Sequence, residues 1–228
     1  MNGKINSNDS SERVFLSLLG LSRKDALSSL RNLAFKAGFF VVSPRQLSLF
    51  KQLDTGPRPI VDPVFLSADR AKRSVRKLVS AGAAYIIVDA GGAPELLSAV
   101  RAAVQDQNCP LIARVNKLEQ LHGLDWANGV ITADLEILRA VKSRLIRRIF
   151  EFGQGCEPNS TDVRAAVAAG ANAIVVRDRA RRVRVANPKK RGKTMTVSEH
   201  WPVMLFNSSG VLLRDALAAH AAAASAGV

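Results

Sequence analysis

Asp89, Arg114 and Asp134 each close a short apolar run, in "YIIVD", "LIAR" and "GVITAD". Two carboxylates and a guanidinium gathered on one rim could hold a divalent cation such as Mg2+ together with an anionic substrate. Ser43, Arg45, Asp62, Asn116, Thr132, Glu151, Arg177 and Asp178 stand at comparable places. Strand ends meet water and collect polar residues in any protein, so position alone specifies no reaction. In "DAGGAPE", residues 89–95, Gly91 and Gly92 precede a helix start. Backbone N–H groups exposed there could take a phosphate. The glycines serve equally as a tight turn, with Pro94 suited to the first helical turn. His122, His200 and His220 have no acidic or cysteine partner at useful spacing, and no Ser-His-Asp or Cys-His arrangement can be built. Cys109 and Cys156 give neither a metal-ligand spacing nor a disulfide framework, which fits a reducing compartment.

A different feature dominates the charge. Residues 177–193, "RDRARRVRVANPKKRGK", hold nine Lys or Arg against one Asp, so they carry +8 of the chain's +14. Positive charge concentrated in this way points to a polyanion. Arg177, Arg179, Arg181, Arg182 and Arg184 would flank an extended backbone, and Lys189, Lys190, Arg191 and Lys193 would form a second cluster past Pro188. RNA, or a large ribonucleoprotein assembly such as a ribosome, is the favoured partner.

The elements that must position these residues alternate. Helical patterns such as "AKRSVRKLVSAG" lead repeatedly into short strands that are apolar on both faces, which is how a parallel sheet buried between layers reads. "KAGFFVVS", "SAGAAYIIVD" and "AAGANAIVVRD" place Gly38, Gly82 and Gly170 at helix ends, 44 and 88 residues apart. Eight strands are expected, at 15–19, 39–43, 59–64, 85–89, 111–115, 130–133, 145–152 and 173–177. Eight parallel strands with alternating helices predict a (β/α)8 TIM-type barrel. An open doubly wound sheet is the alternative, and no GxGxxG or phosphate loop supports it. Strand seven has to absorb Arg147 and Arg148, which cannot both enter an apolar core. "KLEQLHGLDWAN" reads as a helix. The terminal Ala-rich stretch reads as another, with Ser208 or Ser209 as N-cap.

The expected organisation is a disordered segment over 1–13, the barrel over 14–178, and a basic extension with a C-terminal helix packed on the barrel over 179–228. No apolar run approaches a membrane span. The polar start, with Asp9 and Glu12, lacks the features of a secretory or transit signal. An intracellular location, cytoplasm or organelle matrix, is expected.

Four stretches resemble the barrel of pyruvate kinase, in order, over 16–176: "LGLSRKDALSSLRNLAFKAGFFVVSPRQL", "LSADRAKRSVRKLVSAGAAYIIVDA", "CPLIARVNKLEQLHGLDWANGVITADLEI" and "EPNSTDVRAAVAAGANAIVV". Thiamine phosphate synthase and other phosphate-binding barrels fit the middle nearly as well. The resemblance implies a barrel that has lost its chemistry. Ser43 stands where that family has an arginine, Arg114-Val115-Asn116 replaces its Lys-x-Glu, and "RLIRRIFEFG" lacks its threonine. Asp134 is similar to its second acidic ligand. There is no room between Gln52 and Pro63 for its lid. The favoured expectation is therefore a catalytically silent barrel with no catalytic residues and no bound metal or cofactor, acting as a structural component that binds a phosphate backbone. The alternative is a small-molecule lyase, synthase or kinase-like enzyme on a phosphate-binding barrel, using Asp89, Arg114 and Asp134, with Mg2+ as its metal.

Overall fold

Each short apolar run is a strand. In the computed structural model, which describes residues 13–33, 38–52, 58–65, 67–142, 146–153, 158–177, 180–186, 188, 194–200 and 203–226, the first eight strands close a barrel. They are β1 (Val14–Ser17), β2 (Phe39–Val42), β3 (Arg58–Val61), β4 (Tyr85–Asp89), β5 (Leu111–Arg114), β6 (Gly129–Thr132), β7 (Arg147–Glu151) and β8 (Ala173–Arg177). All are parallel, lie in chain order, and close through β1 against β8 with Phe15 opposite Val175 and Ser17 opposite Arg177. This is a (β/α)8 barrel.

Period-two alternation divides the apolar residues between two cores. Phe15, Val41, Ile60, Ile87, Ile112, Ile131, Ile149 and Val175 fill the interior. Leu16, Phe40, Val42, Ile86, Val88, Ile174 and Val176 face outward and are buried beneath the helices. That is why both faces of each run had to be apolar. Helices α1 (Arg23–Leu33), α2 (Ala68–Ser80), α3 (Pro94–Gln105), α4 (Leu135–Ala140) and α5 (Ser160–Ala168) follow β1, β3, β4, β6 and β7, and 3-10 turns at Leu47–Gln52 and Leu118–Leu121 follow β2 and β5. In α2, Ala71, Val75 and Leu78 are buried at helical spacing while the Lys and Arg positions stay outside. Gly82 and Gly170 follow helices with φ of 100° and 103°, the region where a side chain is strained.

Two local expectations are corrected. The helix expected over 117–128 shrinks to one 3-10 turn. Gln120 Oε1 accepts the N–H of Asn116 and Lys117, and Gly123 with φ of 73° turns the chain away. The final helix, α6 (Val203–Ala226), begins upstream of Ser208 and Ser209, so neither caps it. It packs against α5, β1 and β8, with Leu213 and Ala216 buried, and this tertiary contact overrides the local turn signal. The basic tract follows β8 in extended form. β9 (Ala180–Ala186) and β10 (Thr194–His200) form an antiparallel hairpin between β8 and α6, with Pro188 in the turn. Residues 1–12 lie outside the described residues. No helix among the described residues is long and apolar enough to cross a membrane.

Candidate active site

Alternation decides what reaches the C-terminal mouth. Phe15 points inward, so Ser17, two residues on, does as well. The same step leads from Ile60 to Asp62, Ile87 to Asp89, Ile112 to Arg114, Ile149 to Glu151 and Val175 to Arg177. Five of these six positions are charged. Arg114 Nη1 donates to Asp62 Oδ2 at 2.7 Å and its Nη2 to Glu151 Oε2 at 3.4 Å. Arg177 Nη2 donates to Glu151 Oε1 at 3.2 Å. An ion-pair chain, Asp62–Arg114–Glu151–Arg177, thus crosses the mouth from β3 to β8, and the Glu151 side chain at its centre is 11% exposed. Burial works against the charge on Arg114. Asp62, through charge and hydrogen bond, then Glu151 and Asp89 outweigh that burial and hold the guanidinium pKa above its ordinary value.

Two polar atoms in this cluster are buried with no partner among the described residues, Ser17 Oγ and Arg177 Nε. They belong to residues that face each other across the β1–β8 seam. Leaving a buried donor or acceptor unbonded costs about 1–3 kcal/mol each, so a pair of them at a barrel mouth marks where a ligand atom or ordered water would bond. Sequence reasoning did not single out Ser17. The available signal was a hydroxyl two residues after an inward phenylalanine in an otherwise apolar "VFLSLL".

Asp89 stands beside this chain, close enough to act on the charge of Arg114. Its Oδ1 accepts the Gly91 N–H at 2.8 Å, its other oxygen has no partner among the described residues, and the residue is exposed. Both amides of the glycine pair are engaged in the turn, since Gly92 donates to the Asp89 carbonyl at 3.1 Å. A Cβ on Gly91 would collide with Gln120 Nε2. The turn, rather than a phosphate cradle, is what those glycines build. Asp134 is also engaged. It is the N-cap of α4, its Oδ1 accepting the Glu136 and Ile137 N–H at 2.7 and 3.4 Å, while its own N–H donates to Thr132 Oγ1. It does not join Asp89 and Arg114. Ser43 bonds Gln46, and Arg45 and Asn116 are exposed. Among the described residues no three His, Cys, Asp or Glu side chains converge to hold a metal ion.

Of the nine basic positions, Arg177 is part of the ion-pair chain and Arg184 is exposed on the hairpin. Arg181 and Arg182 lie on β9 in register with Glu199 and Ser198. Arg179, Lys189, Lys190, Arg191 and Lys193, with Asp178, lie outside the described residues.

The chain matches no known family profile, and no curated protein matches it in sequence. Solved structures do match. Orotidine 5'-phosphate decarboxylase from Pyrococcus horikoshii OT3 superposes with a TM-score of 0.65 at 16% identity, over 88% of this chain and 99% of that one. 3-Hexulose-6-phosphate synthase from Salmonella typhimurium gives 0.60 at 14%, over 72% and 88%. A mutant tryptophan synthase alpha-subunit from Pyrococcus furiosus gives 0.57 at 15%, over 74% and 87%. At such identities the likeness establishes the fold. The matches bear out the (β/α)8 barrel, and none of those named is a pyruvate kinase, so the finer resemblance to that family is not borne out. One expectation is corrected. The catalytically silent, RNA-binding structural component is overturned, because the structures that share the architecture are those of enzymes. The geometry agrees with this correction, since the mouth carries a paired, inward-facing charge cluster instead of scattered polar ends.

Proposed function

We propose that the chain is a small-molecule enzyme, a lyase or synthase acting on a phosphorylated substrate at the C-terminal mouth of its barrel. The observation that carries this reading is the pair of unpartnered buried atoms, Ser17 Oγ and Arg177 Nε, at the end of the Asp62–Arg114–Glu151–Arg177 chain. Active sites of this fold sit at the strand C-termini, and phosphate groups are held at loops after strands seven and eight, where Glu151 and Arg177 end. Two of the similar structures are named for phosphorylated compounds.

Each residue then has a role set by its contacts. Arg177 is anchored through one nitrogen on Glu151 and directs its Nε to a substrate oxygen. Ser17 supplies a hydroxyl to the same atom or its neighbour. Arg114, locked by Asp62 and Glu151, fixes the floor and offers positive charge to a carboxylate or an enolate-like oxygen. Asp89, with one oxygen fixed by Gly91 and the other open, accepts the substrate proton.

The test is a panel of small phosphate monoesters, sugar phosphates among them, assayed with the full chain for thermal stabilisation and for carbon–carbon bond formation or cleavage. At least one is expected to stabilise the parent and be turned over. Arg177→Met is expected to raise KM, and Asp89→Asn to lower kcat about 100-fold or more. A panel in which none stabilises the protein, or turnover indifferent to both substitutions, removes the proposal.

A further inference from the structure

At the opposite end of the barrel, the strand N-termini surround a pocket of about 320 Å³. Its polar side chains are those of Arg147, Asn128, Asn172 and Tyr85. Arg147 is the first residue of β7 and turns inward. Its guanidinium lies 5.7 Å from the ring centroid of Phe15 and 5.4 Å from that of Phe39, and no carboxylate pairs with it among the described residues. Asn128 and Asn172 immediately precede β6 and β8, the two strands that flank β7. Each uses its side-chain oxygen to accept a backbone N–H, from Leu111 at 2.9 Å and from Arg148 at 3.0 Å. Each amide oxygen is therefore committed, and each –NH₂ is left to face the pocket that the residue lines. Tyr85 lines it as well, and no acidic side chain does among the described residues.

Small residues flank Arg147 here. Gly129, on the inward face of β6, is closely walled, since a Cβ there would meet the Arg147 carbonyl at 3.3 Å and Ile112 Cγ1 at 3.4 Å. The matching inward position on β8 is Ala173. Neither position sends a long side chain into the pocket beside the arginine. A half-buried guanidinium with no acid beside it among the described residues gains only partial compensation from ring faces.

We propose that this N-terminal mouth binds a small organic oxyanion, a phosphate monoester or a carboxylate, with Arg147 as its charge partner and the Asn128 and Asn172 amides as flanking donors. The apolar walls, Phe15 among them, receive the organic body. The site is independent of the rim at the other end of the barrel and can be read separately from it, because Tyr85 is the chain's single tyrosine. Fluorotyrosine incorporated into the full chain therefore gives one fluorine resonance, located in this pocket.

The experiment titrates inorganic phosphate and, separately, malonate at constant ionic strength while following that resonance. The parent is expected to show a saturable shift with at least one of them, and which one saturates assigns the oxyanion. Arg147→Met is expected to abolish the shift. Asn172→Asp keeps the oxygen that accepts the Arg148 N–H and replaces the donor by negative charge, so it is expected to weaken binding at least tenfold even if the Arg147 variant folds poorly. Arg177→Met, at the other end, is expected to leave the titration unchanged. Absence of a saturable shift with both anions overturns the proposal. So does a shift that persists in Asn172→Asp, or one that vanishes only in Arg177→Met.

Discussion

Replacing Arg114 by methionine tests the rim directly. The side chain is 24% exposed and its partners Asp62 and Glu151 are 17% and 11% exposed, so all three are largely withdrawn from water. Methionine keeps most of the volume and removes both hydrogen bonds. Asp62 then loses its hydrogen bond to Arg114, and Glu151 keeps its bond to Arg177 at 3.2 Å. Breaking a fully buried pair by removing one member costs about 3–5 kcal/mol, and the residual exposure here reduces that to about 2–3 kcal/mol. For a domain of this size each kcal/mol lowers Tm by about 2–4 °C, so Arg114→Met is expected to melt about 5–10 °C below the parent. Urea unfolding gives the free energy. Asp62→Asn and the double substitution complete a cycle, with an expected coupling of about 1–2 kcal/mol, because the second change costs little once the pair is broken. A variant as stable as the parent, or additive single effects, would show that the ion-pair chain does not hold the mouth together.

Three further outcomes follow from single contacts. Asp134→Ala removes the N-cap of α4 and is expected to cost about 1 kcal/mol by urea unfolding while leaving turnover unchanged, since its oxygen is spent on Glu136 and Ile137; a large loss of kcat would return Asp134 to the active site. Gly170→Ala forces a side chain onto a residue at φ 103° and sets its Cβ 2.7 Å from Arg148 Nη1, so a loss of about 1–2 kcal/mol is expected, and unchanged stability would contradict that backbone geometry. Burial pushes the Cys109 thiol up to about 11 from 9.0. The folded state thus holds its proton more tightly than the unfolded chain, and stability is expected to be unaffected by this group below about pH 9 and to fall between pH 9 and 11. Measured in a Cys156→Ser background, Cys109 should react with iodoacetamide at pH 8 far more slowly than in denaturant, and equal rates would exclude the buried neutral thiol.

The barrel was legible because its signal is local. A run such as "YIIVD" between two helical patterns states its own burial on both faces, and eight such runs at an even beat leave few topologies. The same locality explains what was misplaced. Asp134 and Asp89 look alike in sequence, each an acid after an apolar run, yet one continues into a helix start that consumes its oxygen and the other turns through Gly91. Arg114 could be recognised as a rim residue, but its partners lie 52 and 37 residues away. Their meeting depends on ring closure, which places β3 and β7 across the mouth from β5. No pairwise spacing along the chain carries that information. The basic tract was legible in part. The alternation in "ARRVRVA" reads as an extended backbone, which β9 is, but its pairing with β10 depends on a return strand whose sequence carries no comparable charge signal. The Asn128 and Asn172 pockets went unread although "ANG" and "ANA" sit at equivalent strand starts, because an asparagine at a turn is ordinarily explained by the turn.

The two ends of the barrel solve the problem of holding charge in opposite ways, and the difference has a measurable consequence. At the C-terminal mouth Asp62, Asp89 and Glu151 outnumber Arg114 and Arg177, so net charge does not attract an anion. A phosphorylated substrate there has to be selected by direction, through Arg177 Nε and Ser17 Oγ aimed at fixed points. Such bonds are formed in a partly desolvated site, where added salt screens weakly. At the N-terminal mouth Arg147 faces donors and ring faces with no acid among the described residues, so attraction begins with charge and weakens as salt rises. Raising ionic strength from low to physiological is therefore expected to weaken phosphate at the Tyr85 resonance by more than it raises KM at the rim. Equal salt dependence at both ends would mean that the rim carboxylates do not set the character of its binding, and the division of roles drawn from Asp62, Asp89 and Glu151 would fall.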